Sequence, residues 1–81
     1  MEERRKKVRS RALKAGKIIY NRQLFSVDCM VKNISETGAS LDVKSSSGIP
    51  DNFELHIPLD GFRRACRVVW VKSNKIGVKF K

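Results

Sequence analysis

The run Leu24-Phe25-Ser26-Val27-Asp28-Cys29-Met30-Val31-Lys32-Asn33-Ile34-Ser35-Glu36-Thr37-Gly38 decides how this chain folds. Phe25, Val27, Cys29 and Val31 alternate with Ser26, Asp28, Met30 and Lys32. That period of two lays an apolar face and a largely wet face along one β-strand. Asn33 to Gly38 then gathers turn-forming residues, and alternation resumes in Ala39, Leu41 and Val43 against Ser40 and Asp42. A half-buried strand, a turn and a second strand are the unit this stretch specifies.

The pattern repeats in both directions. Upstream, Leu13 to Tyr20 carries Ile18 and Tyr20 on one parity, and Asn21-Arg22-Gln23 supplies a turn into the central run. Downstream, Ser45 to Asn52 is a polar loop whose Pro50 has no backbone donor for a central strand. Phe53, Leu55, Ile57 and Leu59 form a fourth strand pattern, and Asp60-Gly61 suits a tight type I′ hairpin. In the fifth, Arg64 to Val71, the residues Cys66, Val68 and Trp70 share one parity and Arg67, Val69 and Val71 the other, the composition of a central strand. Ser73-Asn74 turns the chain into Ile76, Val78 and Phe80. Short strands at this spacing predict an all-β fold, a six-stranded antiparallel barrel over residues 12–81. Residues 1–11 lack an apolar period and read as a flexible basic arm that orders on its partner.

Composition narrows the function. With 81 residues, 41% hydrophobic and 32% charged, the chain has the balance of one small folded domain. No apolar run has the length of a membrane span, and the basic start MEERRKKVRSR leads into no apolar stretch, so the expected compartment is the cytoplasm. Cys29 and Cys66 lie in strand patterns without Cys or His at metal-ligand spacing, which predicts core thiols and no metal site. His56 is the single histidine, and neither a nucleophile triad nor a carboxylate pair can be assembled around it. A binding protein is expected, not an enzyme. Eighteen basic against eight acidic residues, a net charge of +10, call for an anionic partner. Residues 2–17 hold eight basic and two acidic residues, a net of +6. The bland alternative is a solvated basic tail.

Two constellations remain, Arg5-Lys6-Lys7-Val8-Arg9 preceded by Arg4, and Asn33-Ile34-Ser35-Glu36-Thr37-Gly38. In this order they resemble the RxxxR and (D/N)xSxxG motifs of the PilZ domain family. Arg67-Val68-Val69-Trp70 and Gly77-Val78-Lys79-Phe80 resemble its later pattern, so the likeness covers almost the whole chain. The resemblance implies a six-stranded barrel that binds the bacterial second messenger cyclic di-GMP, with the arginine arm folding over a ligand on the barrel surface. With the 81 residues nearly filled by barrel and arm, no output domain is expected, and the signal would pass to a downstream protein that the sequence does not name.

Residue chemistry agrees with this expectation. A guanidinium can bond guanine O6 and N7, pair with phosphate, or stack on a purine, which suits Arg5 and Arg9 to clamp a compact dinucleotide and Arg4 to add a third contact. Asn33 stands where many family members have Asp; its amide has one acceptor oxygen, so it grips guanine N1–H and N2–H less firmly. Ser35 offers a hydroxyl, and Gly38 leaves room for a ligand in a turn open to positive φ. The plainer alternative is an Asx-type turn that only joins two strands. Trp70 resembles the family's strand tryptophan and would form an aromatic wall near a guanine; as a structural residue it would plug the barrel end against Val68. Two other functions fit the charge. One is a small basic barrel that binds single-stranded or structured nucleic acid, with Trp70 or Phe25 stacking. The other is a degenerate PilZ domain that keeps only a protein-docking surface.

Overall fold

The computed structural model describes residues 10–81, with side chains from Leu13 onward. Six antiparallel strands form a closed barrel: β1 (Ser10–Tyr20), β2 (Phe25–Ile34), β3 (Gly38–Val43), β4 (Asn52–Ile57), β5 (Phe62–Lys72) and β6 (Lys75–Phe80). Around the barrel they run β1, β2, β3, β6, β5, β4, with β4 returning to β1. The alternation read from the sequence supplies the interior. Ile18, Cys29, Val31, Ala39, Leu41, Val43, Phe53, Leu55, Ile57, Cys66, Ile76 and Val78 are buried together, and no polar or charged residue is buried among the described residues. Cys29 and Cys66 are free, buried thiols, as their strand positions predict.

Four local features depart from simple alternation. Asn21, Arg22 and Gln23 all take positive φ, of 55°, 57° and 70°, and the amide of Leu24 closes the turn on the Asn21 carbonyl at 3.0 Å. β4 stops at Ile57 because Pro58 has no amide to continue the ladder. The chain instead makes a 3-10 turn, Pro58–Asp60, with Gly61 at φ 66°. The predicted two-residue Asp60-Gly61 hairpin is therefore replaced by a longer turn, and Leu59, expected in the strand, is 86% exposed. β1 begins at Ser10, so Ser10 and Arg11, assigned from sequence to the arm, pair with Ile34 and Asn33.

The fourth departure decides where the site lies. Between β2 and β3, Val31 opposes Leu41 and Asn33 opposes Ser40, leaving Lys32 as an extra residue. Between β5 and β6, Val68 opposes Val78 and Trp70 opposes Gly77, leaving Val69 extra. Each is a β-bulge, which switches the facing of the residues that follow it. Strict alternation would send Asn33 inward after Val31, and Trp70 inward after Cys66 and Val68. The bulges turn both outward.

Candidate functional site

With both side chains re-aimed, four residues line up across the barrel exterior: Asn33 on β2, Ser40 on β3, Gly77 on β6 and Trp70 on β5. Ser40 faces out because its neighbours Ala39 and Leu41 fill the core. The Asn33 amide donates to the Ser40 hydroxyl at 3.1 Å, which fixes the amide on the surface. At the other end the Trp70 indole lies directly on Gly77, and a Cβ there would collide with its Nε1, Cε2 and Cδ1 atoms. Trp70 keeps 42% of its surface exposed. It is not the barrel plug that its parity with Val68 suggests. It is an indole laid on the outer wall over the one residue type that leaves space for it.

The Ser35–Gly38 turn closes one side of this row. The Ser35 amide bonds the Gly38 carbonyl at 2.8 Å, and the Ser35 hydroxyl accepts from the Thr37 amide at 3.3 Å. Ser35 thus braces the β2–β3 turn, while Asn33 bonds across the strands instead of making an Asx turn. Gly38 is buried without a positive φ. A Cβ at Gly38 would run into the Val78 carbonyl, so the barrel itself requires glycine here, through close approach of β3 to β6.

Arg4, Arg5 and Arg9 lie outside the described residues. Their point of attachment is nonetheless defined, since Arg9 directly precedes Ser10, whose register partner Ile34 adjoins Ser35, and Arg11 is in register with Asn33. The described part of the site therefore joins Asn33, Ser35, Gly38 and Trp70, with Ser40 and Gly77 as connecting residues that motif reading passed over. Their signal was present in the pattern, since Ser40 shares the outward parity of Asp42, and Gly77 that of Lys75 and Lys79.

A second row runs beside the first: Gly38, Lys79, Arg67 and Asn52 are in register across β3, β6, β5 and β4. Several exposed lysines are paired with carboxylates, as in Lys14–Asp60 at 2.6 Å, Lys17–Asp28 at 2.7 Å and Lys75–Asp42 at 3.2 Å. Lys17 also holds the Asp28 carboxyl below its ordinary range. Neither Arg67 nor Lys79 is ion-paired among the described residues. The thiols take no part in this surface: burial pushes Cys29 up to about 12 and Cys66 up to about 11, which keeps both protonated and inert. Among the described residues no cluster of three or more His, Cys, Asp or Glu side chains could hold a metal, and no helix is long and apolar enough to cross a membrane.

The surface combines a partly exposed indole, an immobilised amide, a hydroxyl-braced turn and unneutralised cations. It has the elements to hold an aromatic, anionic molecule. No curated protein matches the chain. The family model for the PilZ domain matches residues 3–81, and with the barrel and its outer row this places the chain in the PilZ domain family.

Proposed function

We propose that this protein is a receptor for cyclic di-GMP, a binding module of the cytoplasm that relays the ligand to a protein partner through ordering of the N-terminal segment. The observation that carries the reading is the outward turning of Asn33 and Trp70 by two β-bulges onto one continuous row, beside the point where the basic segment enters the barrel. Trp70 stacks on one guanine, a contact worth roughly 1–3 kcal/mol for a base on an aromatic side chain. Asn33 accepts from the guanine edge, and the Ser35 hydroxyl adds a polar contact at the turn.

Arg5 and Arg9 supply bidentate bonds to guanine O6 and N7 or to phosphate, and Arg4 a further one. Reach is sufficient, since five residues of extended chain span up to about 17 Å, which carries Arg5 well beyond Ser10. Binding draws the basic segment over the ligand and changes the surface offered to the partner.

Trp70 is the only tryptophan, so its emission reports the site directly. Titration with cyclic di-GMP should change that emission saturably, GMP should compete poorly, and Arg9→Ala should lose most of the affinity. An emission change produced equally by short single-stranded RNA, spread over many cations and strongly salt-dependent, would replace this reading with nucleic-acid binding. A protein blind to both would be a docking module without a ligand.

A further inference from the structure

The second exterior row carries chemistry that neither motif describes. Arg67 and Lys79 are directly opposite each other in the β5–β6 ladder. Like charges in that relation destabilise a sheet, and a fold offsets this when a counter-charge sits nearby. At Lys75, also opposite a lysine, Asp42 supplies that charge. At Arg67 and Lys79 no described carboxylate does. Their flanks in the row are Gly38, which has no side chain, and Asn52, whose amide can donate. Asn52, Arg67, Lys79, Phe80 and Lys81 line a surface hollow there. Lys79 is two residues from Gly77 on the same face of β6, about 7 Å along the strand, so this hollow adjoins the surface on which the Trp70 indole lies.

We propose that Arg67 and Lys79 form a phosphate subsite, which receives a phosphate of the ligand whose base stacks on Trp70. The assignment rests on the receptor reading for the identity of the ligand. Among the described residues the pair has no carboxylate partner, and the ligand is its counter-ion. Arg67 presents a planar fork and Lys79 a point charge, a combination that grips two oxygens of one phosphate from adjacent strands. The cost falls on the free protein, as mutual repulsion, and is relieved on binding.

The test compares the wild type with Arg67→Met/Lys79→Met, which keeps the aliphatic stems and removes both charges. A control, Lys44→Met/Arg63→Met, removes two exposed cations from outside this row. Cyclic di-GMP is titrated calorimetrically at low and high NaCl, and the melting temperature of each free protein is recorded. The row variant should bind at least tenfold more weakly with a flatter salt dependence, while melting at the same temperature as the wild type or higher. The control should bind within about threefold of wild type. Equal affinity and salt response in the row variant and the wild type would overturn the subsite, as would equal losses in row variant and control. Should the wild type fail to bind cyclic di-GMP, the receptor reading falls, and NMR titration with inorganic pyrophosphate decides the subsite separately. Saturable shifts at Arg67 and Lys79 would support it, and their absence would overturn it.

Discussion

Gly77→Ala should destabilise the protein, and the same substitution should do the opposite once Trp70 is removed. A Cβ at Gly77 would collide with the indole Nε1 and Cε2, so the ring must swing off the barrel wall. Trp70 is 42% exposed in place, so it covers something like 140 Å² of its own surface, taking about 250 Å² for a whole tryptophan. At about 25 cal/mol per Å² that is at most about 3.5 kcal/mol. An alanine methyl lifts the ring without removing every contact, so a loss of about 1–2 kcal/mol is expected. For a domain of this size that lowers the melting temperature by roughly 4–16 °C.

In Trp70→Ala the obstacle is gone, and alanine in place of a strand glycine should gain about 0.5–1 kcal/mol through lower chain entropy in the unfolded state. Thermal unfolding of the four proteins in this cycle, followed by circular dichroism, measures the coupling. Tryptophan emission of Gly77→Ala should shift to the red as the indole enters solvent. An unchanged melting temperature and emission maximum in Gly77→Ala, or the same sign of effect in both backgrounds, would refute the account of Trp70 as a ring held on glycine.

Three further outcomes follow from the same geometry. Gly38→Ala forces a methyl against the rigid Val78 carbonyl and should cost about 1–3 kcal/mol by overpacking; an unchanged urea midpoint would show that β3 and β6 can separate freely. Asn33→Asp reverses the cross-strand bond, accepting from the Ser40 hydroxyl where the amide donated, and offers guanine two acceptor oxygens, so cyclic di-GMP affinity should rise several-fold, on the order of 1 kcal/mol, and a fall in calorimetric affinity would contradict the role given to Asn33. The thiols set an alkaline limit. Their folded values of about 12 and about 11 lie above the ordinary 9.0, so the folded state holds these protons more tightly than the unfolded state does. That contribution is fully present below pH 9 and is lost as pH rises from 9 towards 11–12. Denaturation midpoints across this range should fall less steeply in Cys29→Ala/Cys66→Ala than in the wild type.

The strands were legible because each carries its own record of which face is buried. Phe25 to Val31, Ala39 to Val43, Phe53 to Ile57 and Ile76 to Phe80 alternate, although Phe25 at the strand end is itself 52% exposed, and these four runs with the mixed patterns of β1 and β5 make up the six strands. Lys32 and Val69 carry no comparable record. A bulge is set by how two strands of different course fit each other, and neither residue type announces it. Extending the alternation through them put Trp70 beside Val68 in the barrel end and gave no reason for Asn33 to face out. The motifs identified Asn33, Ser35, Gly38 and Trp70, but the part each plays came from packing. Gly38 answers to the Val78 carbonyl and not to a positive φ, and Trp70 depends on Gly77, seven residues on and across a hairpin. Arg67 and Lys79 resemble ordinary solvated strand positions until the register sets them face to face.

The central claim is that the outer row is a cyclic di-GMP site, and its most direct test is a calorimetric titration of the whole chain, with Trp70→Ala and Arg9→Ala in parallel. The account predicts saturable binding with a whole-number stoichiometry, weakened roughly 5- to 150-fold by Trp70→Ala, the equivalent of about 1–3 kcal/mol, and weakened again by Arg9→Ala. No heat with cyclic di-GMP, or binding indifferent to Trp70, would contradict it.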